Sequence, residues 1–388
     1  MPQTLSARRL ITASQTIDWP ILIIDNDGLI TSIEPNSAPR ASETILAPTL
    51  LDIHTHGGGG HDVMEGTPEA LCSVSRFHAR HGVGHYLPTT VTASVDKTLT
   101  SLEGIARAIE SAHGPGWDHS YARPIGIHLE GPFISHAKRG VHPPAEILPP
   151  DIALFDCFQQ AANGYIRLIT IAPEIPGALD LIRHCSEHGV RVSLGHTNAT
   201  TAEAHAGIQA GARSATHTYN AMRALDHREP GVLGVVLDDN NLYAELICDG
   251  VHVAPELVRL WLKAKGPDRA ILVTDSMAAA GMPDGEYTLG TFAVHVSNGR
   301  AYAADDLSKG KHTLAGSVLT LDRAVENVQR FTGTSLETAV RLASANPFAM
   351  LGMERPLDEI APGKPANLNI FNAAGERIRT LRYGNPVE

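Results

Sequence analysis

The chain has 388 residues, a formal net charge of −11, 20 histidines and four cysteines, which allows an α/β barrel of about 250 residues plus a smaller unit. An acidic balance without a basic run argues against nucleic acid and against an anionic membrane surface as partners, and no apolar run approaches the roughly 18 residues of a membrane span. Cys72, Cys157, Cys185 and Cys248 are scattered without C-x-x-C spacing, which disfavours disulfides and zinc-thiolate sites; the apolar stretch after Arg8 and Arg9 is too short for a signal peptide, so a cytoplasmic location is expected.

Residues 1–48 contain short β-branched runs broken by turns. Residues 21–24, then Asn26-Asp27-Gly28, then 29–33 form a hairpin signal. From there the chain alternates strand-like and helical segments, as parallel βαβ units do. Strands are expected at 50–56, 83–90, 125–130, 166–172, 190–196, 214–217, 243–249 and 270–275, with helices at 68–81, 96–111, 177–188, 201–210 and 255–264. Residues 285–303 read as a β-meander with a turn at Asn298-Gly299, before helices at 317–330 and 335–343. The tail from about 355 returns to β-type runs at 366–371 and 377–381. The expected fold is a (β/α)8 TIM-type barrel over 49–354, with a small β-sandwich domain formed by both chain ends, 1–48 plus 355–388.

Six of the expected strands close on a histidine or an acid: His56, Glu130, His196, His217, Asp249 and Asp275. Parallel barrels carry their active site at the carboxyl ends of the strands, so ligands supplied one per strand converge there. His54 and His56 are alternate residues of one strand and share a face, which suits one divalent ion. The following Gly57 to Gly60 run lets backbone come close to a ligand. Glu130, His196 and His217 form a Glu/His/His set that matches metal sites keeping a position open for water. Taken singly, each has a plainer reading as a salt-bridged rim acid or a structural histidine. Asp275 ends an apolar strand, where an unpaired charge is costly; it can exchange a proton with an activated water and a leaving group, or act as a further metal ligand, or both.

The runs His54-Thr55-His56-Gly57-Gly58-Gly59-Gly60, His128-Leu129-Glu130-Gly131-Pro132-Phe133, Gly195-His196-Thr197 and Thr216-His217-Thr218-Tyr219-Asn220-Ala221-Met222, followed by Arg228-Glu229-Pro230-Gly231, Asp249-Gly250-Val251-His252, Val273-Thr274-Asp275 and Leu314-Ala315-Gly316-Ser317, together resemble the motifs of the N-acetylglucosamine-6-phosphate deacetylases, a family of the amidohydrolase superfamily. The resemblance runs through essentially the whole chain. It implies metal-dependent hydrolysis of the acetamido group of N-acetyl-D-glucosamine 6-phosphate, in amino-sugar catabolism and cell-wall recycling. It further implies that Glu130, His196 and His217 hold the main ion, with Asp275 as general base and acid. His54 and His56 match positions that bind a second ion in some members, so one or two ions per subunit are expected, zinc first, with iron, cobalt or manganese as alternatives.

By the same resemblance, His142 contacts the substrate and polarises the amide carbonyl, Asn220 and Ala221 contact the sugar phosphate, and His252 lies beside the sugar. Arg228 reaches the phosphate from the neighbouring subunit of a homodimer. Asn367 and Phe348 depart from the usual aspartate and alanine at sites expected to touch packing, and Ser276 stands where alanine is frequent beside Asp275. The nearest alternative is the galactosamine epimer of the same substrate. Other amidohydrolases that use a carbamylated lysine on the fourth strand are disfavoured, because no lysine stands in Arg167 to Glu174. A catalytically silent sugar-phosphate sensor would lack a base or a ligand, and none is missing.

Overall fold

The computed structural model describes residues 2–35, 42–353 and 356–388. Eight parallel strands follow one another around a barrel: β1 (Leu50–Thr55), β2 (Val83–Thr90), β3 (Ile127–Glu130), β4 (Ile166–Ile171), β5 (Arg191–Leu194), β6 (Ser214–Ala215), β7 (Tyr243–Ile247) and β8 (Ala270–Val273). Each pairs in parallel with the next. The ring closes just past β8, where Ser276 bridges in parallel to Thr55 and the Asp275 amide donates to the His54 carbonyl at 2.9 Å. Strands buried on both faces read as continuous rather than alternating apolar runs, as in the wholly buried Ala270–Val273. Six of the eight strands end one or two residues earlier than expected, as most of the terminal histidines and acids turn out of the ladder, whereas Val83–Thr90 and Ile127–Glu130 end where expected.

The helices obey local start and stop chemistry. Helix Pro68–Arg80 has proline in its first turn, and the Thr67 side chain caps it by accepting from the Ala70 amide. Thr200 and Glu203 close a capping box at the start of Thr201–Ala210. Among the described residues four α-helices go beyond the sequence expectation: Ile152–Ala161, Gly231–Asp238, Ala304–Leu307 and Ala345–Met350. In the second, Gly231-Val-Leu-Gly-Val-Val is β-branched and apolar enough to imitate a strand, yet Val232, Val235 and Val236 are buried at helical spacing. The meander is present as Gly285–Leu289, Phe292–Ser297 and Arg300–Ala303, paired antiparallel.

Strands from both ends of the chain share one sheet. Its order is Asn385–Pro386, Arg377–Arg382, Leu368–Phe371, Ile45–Pro48, Arg9–Ile11 and Thr16–Asp18. A three-stranded sheet of Gln3–Ser6, Pro20–Ile24 and Ile30–Pro35 lies beside it. Leu10, Leu22, Ile24, Ile30, Leu46, Leu368 and Leu381 form a separate small core there. The expected division at residues 354 and 355 falls outside the described residues.

A buried polar cluster joins this β-layer to the barrel. Asp358 is held by His85 Nδ1 at 2.9 Å, by the Thr49 hydroxyl and by Asn367 Nδ2 at 2.8 Å, with Arg382 3.6 Å away. Burial opposes its charge, but His85 and Arg382 outweigh burial and hold the carboxyl well below the usual range. Asn367 is therefore a donor to a buried carboxylate. Asn367→Asp replaces that donor with a second acid and is expected to cost about 1–3 kcal/mol, read as a lower melting temperature at pH 7. The deficit should shrink as acid protonates one of the pair; an unchanged melting temperature would show that the amide is not needed.

Candidate active site

At the carboxyl ends of the strands, Glu130 stands at the centre of a ring of imidazoles. Its Oε1 lies 3.3 Å from His54 Nε2, 3.3 Å from His196 Nε2 and 3.1 Å from His217 Nε2. Its Oε2 lies 3.3 Å from His56 Nε2 and 3.7 Å from His142 Nε2. The Nε2 atoms of His196 and His217 are 3.1 Å apart. Asp275 Oδ1 faces the other side of the ring, 3.0 Å from His56 Nε2 and 3.6 Å from His54 Nε2. These side chains are all nearly or fully buried.

Backbone strain marks the same residues. His196, His217 and Asp275 have φ of 45°, 28° and 51°, a left-handed region that non-glycine residues adopt at a cost and that clusters at functional sites. Each stands two residues past the end of a short strand, and the reversal swings its side chain over the barrel mouth. The Asp275 conformation is clamped by the Ser317 amide, which donates to its carbonyl at 2.7 Å. Ser276 Oγ does not touch the Asp275 carboxylate; it donates to the Gly57 carbonyl at 2.9 Å and lies 2.9 Å from Thr55 Oγ1. The Gly57 to Gly60 run also differs from expectation: a side chain at Gly58 would strike the Phe77 ring at 2.3 Å, so close packing explains that glycine.

Hydrogen-bond partners sort the histidines by tautomer. His56 Nδ1 faces the Thr89 carbonyl at 2.9 Å, and His196 Nδ1 faces the Lys138 carbonyl at 2.9 Å. Both therefore carry hydrogen on Nδ1 and turn Nε2 to the centre as the nitrogen that can ligate metal. His142 is the reverse. Its Nδ1 accepts from the Thr92 amide at 3.3 Å and lies 2.8 Å from the Thr92 hydroxyl, so its Nε2 bears the hydrogen and offers a donor. Burial and the nearby His196 push the His142 ring well below the ordinary histidine range, which keeps it neutral.

Electrostatics bind the cluster together. Burial works against charge on His54 and His56, but Glu130 and Asp275 outweigh it, raising His54 well above its ordinary value and His56 to about 9. Glu130 and Asp275 are in turn held below the usual carboxylate range despite burial, Glu130 by His54, His196 and His217, and Asp275 by His54 and His56. A carboxylate pair with this many imidazole nitrogens is a cation-binding arrangement. Tetrahedral zinc with ligand bonds of 2.0–2.1 Å separates its ligand atoms by about 3.3 Å, close to the spacings around Glu130. The donor set fits a divalent ion. Two ligand groups converge, His54 with His56 and Asp275, and Glu130 with His142 and His196, the atoms of each lying within 4.8 Å of one another.

The ring opens into a cavity of about 320 Å³ lined by His142, Asn220, Ala221, His252 and Asp275 together with the Glu130 cluster, a size suited to a small molecule. The His252 ring is fixed by Asp249, whose Oδ2 lies 2.6 Å from its Nδ1. Val91, Gly140, Val141, Leu289, His312, Thr313, Leu314 and Gly316 complete the wall; Leu314 and Gly316 belong to one of the motifs read from the sequence, but none of these residues was given a site role there. Arg228 is exposed and does not line the cavity. A second cleft of about 290 Å³ lies at the amino-terminal end of the strands. Its two charged residues, Glu337 and Arg341, are already paired with Arg9 and Asp268.

Comparison with known proteins agrees with this geometry. The amidohydrolase family profile matches residues 45–387. The chain is 40% identical to an N-acetylgalactosamine-6-phosphate deacetylase of Escherichia coli O157:H7 over 95% of this chain and 94% of that one. It is 36% identical to an N-acetylglucosamine-6-phosphate deacetylase of Bacillus subtilis over 93% and 91% respectively. Among solved structures, a substituted N-acetyl-D-glucosamine-6-phosphate deacetylase from Mycobacterium smegmatis, in complex with N-acetyl-D-glucosamine-6-phosphate, superposes with a TM-score of 0.90 at 32% identity, covering 100% of this chain and 99% of that one. The fold, the strand-end cluster and relatives spanning nearly the whole length together establish that the chain belongs to the amidohydrolase family, in the branch of the amino-sugar-phosphate deacetylases.

Proposed function

We propose that the protein hydrolyses the acetamido group of N-acetyl-D-glucosamine 6-phosphate, giving D-glucosamine 6-phosphate and acetate. The observation that carries this reading is the meeting, in one small cavity, of the Glu130-centred cluster, the Asp275 carboxylate and an imidazole donor on His142. Glu130, His196 and His217 would hold the main ion, with zinc first among the metals their donor atoms accept. His54 and His56 would hold a second. When bound, a divalent ion supplies a Lewis-acid centre that acidifies water and polarises the amide carbonyl.

The remaining chemistry belongs to the chain. Asp275 takes a proton from the attacking water and delivers it to the departing amine. His142 Nε2–H donates to the carbonyl oxygen as negative charge develops there. Its tautomer supports this role over metal ligation, although it lies close to Glu130 and His196. Asn220, Ala221 and His252 border the sugar.

Arg228, exposed on its own subunit, would serve the phosphate in the partner's site of a homodimer, its planar fork matching phosphate oxygens. A charged sugar phosphate does not cross a bilayer unaided, and the cytoplasm is the expected place of action; among the described residues no helix is long and apolar enough to span a membrane.

A second reading keeps the mechanism and changes the sugar, since the 40% identical relative is a deacetylase of the galactosamine epimer. Acetate release from the two epimers and from unphosphorylated N-acetylglucosamine, measured side by side on metal-replete protein, decides between them. Preference for the glucosamine epimer supports the main reading, preference for the other moves the substrate, and no release from any rejects both. Arg228→Ala is expected to weaken the phosphorylated substrate about 10–150-fold through KM, the worth of a charged hydrogen bond, with little change in kcat. An unchanged preference for phosphorylated over plain sugar would remove Arg228 from the site.

A further inference from the structure

Glu245 lies in the middle of β7 and is completely buried. Among the described residues no lysine or arginine pairs with it, and its one ionic neighbour is His54, whose Nδ1 is 3.2 Å from Glu245 Oε2. The same oxygen accepts from the His217 amide at 3.3 Å, while Oε1 has no hydrogen-bond partner. A carboxylate inside a barrel is costly, and a well-packed apolar or neutral residue is often better for stability alone. Its placement calls for a task.

The geometry defines one. His54 reaches the centre through Nε2, which is buried, lacks a hydrogen-bond partner and points between Glu130 and Asp275. Its Nδ1 must then carry hydrogen, and Glu245 is the acceptor that holds it there. His56 and His196 are oriented in the same way by neutral backbone carbonyls; His54 is oriented by a full negative charge. A carboxylate behind a ligating imidazole fixes ring orientation and raises its basicity. By also gripping the His217 amide, Glu245 ties β7 to both β1 and the turn after β6, across the two ligand groups.

We propose that Glu245 is a positioning residue for the second ion, holding His54 with its Nε2 lone pair aimed at that ion. This rests on the reading that His54 and His56 bind metal. The test is a titration of metal-free full-length protein with Co²⁺ or Zn²⁺, followed by calorimetry and by metal content after desalting. Wild type is compared with E245Q, which keeps shape but loses charge, with H54N, and with the double variant.

Wild type should bind two ions. E245Q should keep the first at wild-type affinity and bind the second about 10–100-fold more weakly, and the double variant should match H54N. Two ions bound normally by E245Q would overturn the proposal, as would parallel loss of both ions and of melting temperature, the mark of a merely structural residue. A single ion in wild type, with H54N unaffected, would overturn the two-ion reading itself and the proposal with it. Should E245Q not fold, ¹⁵N histidine spectra of the metal-loaded wild type decide the matter: hydrogen on His54 Nδ1 supports the assignment and hydrogen on Nε2 rejects it.

Discussion

Asp275→Asn is expected to slow turnover by about 10²–10⁴-fold, the usual worth of a positioned general acid–base, while metal content and substrate affinity stay near wild type. The substitution is isosteric, so the clamp from Ser317 to the Asp275 carbonyl is untouched and the side chain still fits its left-handed backbone, a conformation asparagine tolerates. What disappears is the capacity to hold a proton between water and amine. His54 and His56 keep the Asp275 carboxyl below the ordinary range although burial works the other way, so at neutral pH it is ionised and ready to accept. Acetate release, metal analysis and equilibrium substrate binding measured on one preparation separate the roles. Near-normal turnover would take Asp275 out of the proton transfer, and loss of metal together with activity would recast it chiefly as a ligand.

Glu130→Gln should be more severe still. One carboxylate faces five imidazole nitrogens through its two oxygens, so neutralising it removes the negative charge that imidazoles of both ligand groups face. Metal affinity is expected to fall by more than the about 10–100-fold typical of losing an outer-shell partner, with activity lost in parallel and only partly restored by excess metal. The fold should survive, because the barrel core does not depend on Glu130. Full metal occupancy in a folded Glu130→Gln protein would mean that the imidazoles alone hold the ions.

Much of this arrangement was legible in the chain itself. All eight barrel strands could be placed because parallel strands are buried on both faces and stand out as apolar runs between helical segments. The strand-end residues His56, Glu130, His196, His217 and Asp275 were visible because a polar or charged group closing such a run has few stable fates. The helix Gly231–Asp238 was not legible, since its composition favours a strand and only tertiary packing makes it helical. Glu245 did leave a signal, an acid within the apolar run Tyr243–Ile247, but it lies inside the strand rather than at its end and is 191 residues from His54.

Periodicity and residue type determined by themselves that this is an α/β barrel with a convergent set of histidines and carboxylates. Spacing along a chain carries no information about which ring nitrogen faces which acceptor. That was decided only in three dimensions, where the Thr92 amide turns His142 into a donor, the Thr89 and Lys138 carbonyls turn the Nε2 atoms of His56 and His196 to the centre, and Glu245 reaches His54 from the other side of β8. Hydrogen bonds are short and directional, so the role of each imidazole depends on neighbours that folding brings from distant parts of the sequence.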